Sequence, residues 1–256
     1  MKVAYVGIDL MLPALLQLGK TTDVEILKIF TCPNLYQGET SDGVVAFAKE
    51  HQIPYTKEKV TKADLEELQE KGCALLLCAG YYYRLPITDA FPMVNVHPAP
   101  LPSHRGAWPM PYILLWGENV GGVSFHQMEE EFDKGKLLFS RSFPLTKQDN
   151  LQTYMQKANA LLPKMVEDLL KNLSTHLKNA QPQGQGRYLS NPTEDDWTIR
   201  DTMTVKEADK ILRAFYGYPC LYRSETLKKE ISFAKAEYGA PQGADLPLAD
   251  GKIILL

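Results

Sequence analysis

Short apolar runs alternate with amphipathic stretches along the first half of the sequence, and this alternation restricts the fold more than any other feature. KVAYVGI, VEILKIF and CALLLCAG have the length and continuous apolar character of buried strands. Between them, MLPALLQLGK, GVVAFAKEHQ and DLEELQEKG repeat apolar residues at the three- and four-residue spacing of a helix face. IPYTKEKV supplies a short extended piece and MVNVHP a further strand. Strands that alternate with helices need right-handed crossovers. The expected class is therefore α/β, a Rossmann-like, mostly parallel sheet with helices on both faces.

Further along, PMPYILLWGEN reads as a helix, proline being tolerated in its first turn. GGVSFHQM alternates like a strand with one solvated face, and KLLFSRSFPL like another. LQTYMQKANALLPKMVEDLLKNL is a long amphipathic helix in which Pro163 predicts a bend. NAQPQGQGRYLSNPT, rich in Gln, Gly, Pro and Asn, reads as a surface linker. Beyond it TVKEADKILRAF predicts a helix, and ISFAKAEYG and KIILL are strand-like. The expected organisation is a catalytic domain over 1–180, a linker over 181–195 and a small β-rich C-terminal domain over 196–256.

The charge balance narrows the partners. With 28 Lys and Arg against 31 Asp and Glu, the net charge is −3, so no global basic field attracts nucleic acid or an anionic membrane. No apolar stretch approaches the roughly 20 residues that cross a bilayer. The four cysteines, Cys32, Cys73, Cys78 and Cys220, form no CxxC pair and no zinc spacing. A reduced, cytoplasmic protein is expected.

Chemistry concentrates in VNVHPAPLPSHRGAWP, residues 94–109. Asn95 and His97 are two apart, so a strand places both side chains on one face. In an open α/β sheet that face, past the carboxyl end of a strand, is where ligands collect. The prolines at 98, 100 and 102 predict a stiff, extended loop that holds polar groups before reaction. GGVSFHQMEEEFDKG then carries His126 and, in a turn before glycine, Asp133. Together these residues supply an amide donor for an oxyanion, an imidazole near neutral pKa and a carboxylate. A lone Asn-x-His is more simply a satisfied structural pair; the second strand is what favours chemistry.

With both segments in view, the sequence resembles the 10-formyltetrahydrofolate-dependent formyltransferases, which include methionyl-tRNA and sugar-amine members. NVHPAPLPSHRG answers the family pattern N-x-H-P-S-L-L-P-x-Y-R-G, and GGVSFHQM-x4-DKG follows at matching spacing. The likeness runs from the first strand to about residue 145 and resumes in ILRAFYGYPCLY. Ala99 and Pro100 stand where the family has Ser-Leu, and His104 where it has Tyr.

The resemblance implies a catalytic triad of Asn95, His97 and Asp133. In it, Asn95 and a protonated His97 would stabilise the tetrahedral oxyanion, and Asp133 would orient water or His97 and help remove the amine proton. It implies 10-formyltetrahydrofolate as formyl donor, lying against Tyr83 and Leu85 of CAGYYYRLP and against Met128, Glu129 and Glu130, with no metal. Arg105 has two readings, an anchor for an anionic acceptor group such as phosphate or carboxylate, or a structural ion pair beneath the loop. His126 matches a second family histidine and also reads as a packed wall. Tyr81, Tyr82 and Tyr83 read more simply as a packed lid than as a stacking platform. Trp108 and Trp116 read as core, and Glu129 to Glu131 as a solvated turn.

The acceptor follows from the tail and the charge. SETLKKEISFAKAEYGAPQGADLPLADG resembles a shortened form of the family's C-terminal barrel, and phosphate contacts need clustered Lys and Arg. The expected acceptor is a primary amine on a small molecule, such as a nucleotide-linked amino sugar. Methionyl-tRNA is the alternative, followed by hydrolysis of the formyl-folate and by a folate-binding regulator without turnover. No membrane partner is expected, and a homodimer is an open assembly state.

Overall fold

The computed structural model describes residues 1–33, 40–233 and 245–254 and divides into two compact units. The first comprises Met1–Arg105, Gly122–Phe143 and Lys157–Tyr188. Its strands are β1 (Lys2–Gly7), β2 (Glu25–Phe30), β3 (Tyr55–Thr56), β4 (Leu75–Ala79), β5 (Met93–His97), β6 (Val120–Gln127) and β7 (Leu137–Pro144). They form one sheet in the order β3-β2-β1-β4-β5-β6-β7. From β3 to β5 the pairings are parallel; β5 and β6 pair antiparallel. The helices α1 (Leu12–Lys20), α2 (Asp42–Glu50) and α3 (Lys62–Glu70) are the crossovers that the sequence pattern predicts.

The central strands β1 and β4 are buried almost throughout, which is why their sequences are continuous apolar runs rather than alternating ones. Phe30, Leu68, Leu76, Cys78 and Met93 share one buried cluster. The start of α2 is capped by Asp9, whose carboxylate accepts from the amides of Gly43 and Val44 at 2.9 Å. A carboxylate there satisfies donors that have no partner within the helix.

Two expectations are corrected in this unit. GGVSFHQM was expected to have one solvated face, yet Gly121–His126 are all buried, because β6 is an interior strand between β5 and β7. The long helix also keeps helical geometry at Pro163. With α4 at Met110–Trp116, this helix is α5 (Leu151–Asn179), and its non-helical residue is Asn172 at φ −122°. The Asn172 side chain donates to Asp168 Oδ1 at 2.9 Å, the kind of local side-chain bond that competes with helical geometry.

The second unit comprises Gly106–Gly121, Pro144–Gln156 and Leu189–Leu256. Besides α4 it holds α6 (Val205–Ala214), a three-stranded sheet of β8 (Thr198–Arg200), β9 (Cys220–Ser224) and β10 (Lys229–Phe233), and a hairpin of β11 (Asp245–Leu248) and β12 (Gly251–Ile254). β8 and β9 lack a distinct sequence signal because each is short and flanked by turns. The strand-like reading of ISFAKAEYG past Phe233 lies outside the described residues. Phe215 and Tyr222 are fully buried, and Trp108 packs on Phe215 and Tyr218 with ring centroids 5.8 and 4.8 Å apart. Trp116, expected in a core, is 41% exposed and lies beside Tyr112 on α4.

α6 begins with a capping box. Thr204 accepts from the Glu207 amide, and the Glu207 carboxylate accepts from the Thr204 amide at 2.8 Å. Thr204→Ala is expected to cost about 1 kcal/mol in urea unfolding. An unchanged midpoint would show that the cap contributes nothing to stability.

Candidate active site

The antiparallel pairing of β5 with β6 assembles the polar cluster. Asn95 lies directly opposite His126, and His97 opposite Ser124. Directly opposed residues share a face, so Asn95 and His126 meet across the strands. Asn95 Nδ2 is 3.0 Å from His126 Nε2, and His126 Nδ1 is 2.7 Å from the Gln127 carbonyl. A carbonyl only accepts, so Nδ1 carries the proton, and in the neutral ring Nε2 accepts from the Asn95 amide. That bond orients the carboxamide and uses one of its two hydrogens.

His97 is fixed by the same logic. Its Nε2 lies 2.6 Å from the His104 carbonyl and therefore donates, which leaves Nδ1 unprotonated in the neutral ring. Nδ1 faces Asp133 Oδ1 at 3.6 Å, and the same oxygen is 3.5 Å from His126 Nε2. His97 is 3% exposed, and burial pulls its pKa below the usual imidazole range. Asp133 opposes that shift, while His126 adds to it. Desolvation thus outweighs the carboxylate and favours the uncharged ring over the protonated His97 implied by the family resemblance.

The loop after β5 departs from expectation. Residues 101–104 form a turn rather than an extended segment, which returns the His104 carbonyl to His97. Proline fixes φ alone; what closes this loop is Ser124. Its buried hydroxyl donates to the Ala99 carbonyl at 2.8 Å and accepts from the Leu101 amide at 3.0 Å. Ser124 escaped sequence reasoning, although its place two residues before His126 in an alternating strand put it on the same face.

Asp133 sits in the turn between β6 and β7 with φ +56°. An L-residue there is strained, and neighbours must hold it. Gly135 permits the turn to lie close to β6, because a Cβ at this position would stand 1.9 Å from the Gln127 carbonyl oxygen.

The other predicted residues divide into three groups. Arg105 is buried, and its guanidinium donates to Gln183 Oε1 at 3.1 and 3.2 Å and to the Gly184 carbonyl at 3.0 Å. Those acceptors are an amide and a backbone carbonyl rather than the carboxylate of an ion pair. Leu85 and Met128 pack in or against the cluster that contains Cys78, and the Met128 amide donates to the Met93 carbonyl at 2.8 Å. Glu129 and Glu130 are exposed, and Tyr83 is half-buried under Lys59. Tyr81 meets Tyr83 edge-on at 5.5 Å and donates to the Glu58 carbonyl at 3.5 Å, a packed arrangement. Arg84 was missed in the sequence: it joins CAGYYYRLP to the Met128–Glu130 segment by donating to Glu130 Oε2 at 2.9 Å and to its carbonyl at 2.7 Å.

This site is one that can transfer a carbonyl-derived group: a polarising amide, a base with a free lone pair and a carboxylate stand within one cluster. A family model described as formyl transferase matches residues 17–169, and the chain belongs to that family of enzymes. The methionyl-tRNA formyltransferase of Ehrlichia chaffeensis (strain ATCC CRL-10679 / Arkansas) is 29% identical over 252 residues, which cover 93% of this chain and 81% of that relative. A sugar N-formyltransferase from Shewanella sp FDAARGOS_354 superposes with TM-score 0.70 at 17% identity, over 94% of this chain and 99% of that one. WlaRD, a sugar 3N-formyl transferase solved in the presence of dTDP and 5-N-formyl-THF, gives TM-score 0.66 at 17% identity, over 100% and 96%. At such identities the last two establish the fold.

Proposed function

We propose that this enzyme moves the formyl group of 10-formyltetrahydrofolate to a primary amine on a small molecule of the amino-sugar class, with Asn95, His97 and Asp133 carrying the chemistry. The observation that carries the choice of acceptor is the state of the cations near the cluster. Arg84 is paired with Glu130, Lys134 with Glu131, and Arg105 is used by Gln183 and Gly184. A tRNA needs many cations directed at phosphates. A small amine needs few.

The proposed steps follow from the hydrogen positions. The neutral acceptor amine attacks the formyl carbon, and the second Asn95 amide hydrogen stabilises the oxyanion that forms. His97 Nδ1 takes the proton that the amine loses, and Asp133 stabilises the resulting imidazolium. The imidazolium then gives the proton to N10 of the folate as the carbon–N10 bond breaks. The products are the N-formyl amine and tetrahydrofolate, with no net proton change at the site.

The methionyl-tRNA reading is supported by sequence relatives of that name, among them enzymes 29% and 32% identical over 93% and 77% of the chain. It predicts acceptor binding that weakens steeply with salt, whereas binding of a small amino sugar changes little. Transfer assays at low and high salt with both acceptors separate the two.

A pH prediction follows from His97. The base must be neutral, and burial lowers its pKa, so it stays competent to more acid pH than a free imidazole. The acid limb of kcat/KM, which reports the free enzyme, is expected below the usual imidazole value. A limb at or above that value would rule out buried His97 as the titrating base.

A further inference from the structure

We infer that Gln183 is a positioning residue for Asp133, clamping the turn that carries the catalytic carboxylate to the loop that carries His97. The inference rests on the proposed role of Asp133. Gln183 belongs to the segment that reads in sequence as a surface linker. In the structure its Nε2 donates to the carbonyls of Asp133 and Gly135 at 2.9 and 2.7 Å. Its Oε1 accepts from Nε and Nη2 of Arg105.

The side chain's chemistry explains the choice of residue. A carboxamide has two hydrogens at one end and an acceptor at the other. Two carbonyls face the donor end and a guanidinium faces the acceptor end, so only one orientation satisfies all of them. A carboxylate could serve Arg105 but not the carbonyls. An ammonium could serve the carbonyls but not Arg105.

The clamp lies where strain must be held. Asp133 has φ +56°, and the two acceptors of Gln183 are its own carbonyl and that of the glycine two residues on. Arg105 closes the loop that starts at His97, and its amide donates to the Arg187 carbonyl at 3.1 Å. Gly186 packs so closely against this loop that a Cβ would stand 2.0 Å from the Pro102 carbonyl oxygen. The 181–188 segment is therefore a strap over both site loops. Misplacement of a catalytic group by about 1 Å is enough to cost 100-fold in rate.

His97 supplies a readout that a merely structural tether would not move. The groups that face it are Asp133, His126 and His104, and of the side chains Asp133 is the one that raises its pKa. If the turn swings Asp133 away while His97 stays buried, that support weakens and His97 titrates at lower pH. Gln183→Leu keeps bulk and removes every hydrogen bond; Gln183→Glu keeps the Arg105 partner and removes the two donors. The test follows the Cε1 proton of His97 by NMR across pH, assigned with His97→Ala, together with steady-state kinetics.

The expected result is a lower titration midpoint in Gln183→Leu. In both variants kcat should fall at least tenfold, with KM for 10-formyltetrahydrofolate within threefold of wild type. An unchanged midpoint in Gln183→Leu, or wild-type kcat in Gln183→Glu, would overturn the inference and leave Gln183 as a tether of the strap. The midpoint does not depend on the fraction of active protein. If the wild type transfers no formyl group, the functional proposal fails, while the titration still decides whether Gln183 holds Asp133 against His97.

Discussion

His97→Ala is expected to reduce kcat by about three orders of magnitude while leaving KM for the formyl donor nearly unchanged. The ring is the only group in the proposed steps that both receives the amine proton and returns it to N10. Its Nε2–H is committed to the His104 carbonyl, so Nδ1 alone is available, and alanine removes it. Asp133→Asn should cost nearly as much, because the imidazolium would lose its counter-charge 3.6 Å away. The double variant should fall little below either single one, as residues that act as a unit are strongly non-additive. Losses that multiply would show that the two act independently.

The second large effect is expected from Gly135→Ala. The added methyl would meet the Gln127 carbonyl oxygen at 1.9 Å and its carbon at 2.8 Å. Both are backbone atoms of β6 and cannot yield as a flexible side chain would. The turn must open, at a cost of about 3 kcal/mol in urea unfolding. The same displacement carries Asp133 away from His97, so kcat should drop by about 100-fold even in the folded fraction. Retention of both stability and rate would mean that the turn's closeness to β6 is irrelevant to the site.

Much of the fold was legible because its strongest signals are local. Continuous apolar runs marked β1 and β4, and their alternation with amphipathic helices set the α/β class. The cluster was legible for the same reason: Asn95 and His97 share a strand face, and His126 and Asp133 share a strand and its turn. Whatever depends on pairing between distant segments was not. The opposition of Asn95 to His126, the buried hydroxyl of Ser124 and the strap with Gln183 all arise from register or long-range packing. Gln183 was hidden most completely, because a polar residue among Gln, Gly and Pro carries no periodicity. Arg105 shows the converse. A charge beside this loop suggests an anion site, yet the partners that bury it, a carbonyl and a side-chain amide, come from residues 183 and 184 and carry no sequence signal of their own. Propensity alone puts a bend at Pro163, whereas the non-helical residue is Asn172, which bonds to Asp168.

The most direct measurement supplies the enzyme with 10-formyltetrahydrofolate labelled with ¹³C in the formyl group. A panel of nucleotide-linked amino sugars and initiator methionyl-tRNA would serve as acceptors, with His97→Ala in parallel. Label is expected on the amine nitrogen of a small-molecule acceptor with the wild type, and on no acceptor with the variant. Label released only as formate, label on methionyl-tRNA alone, or undiminished transfer by His97→Ala would each contradict the proposed chemistry or its acceptor.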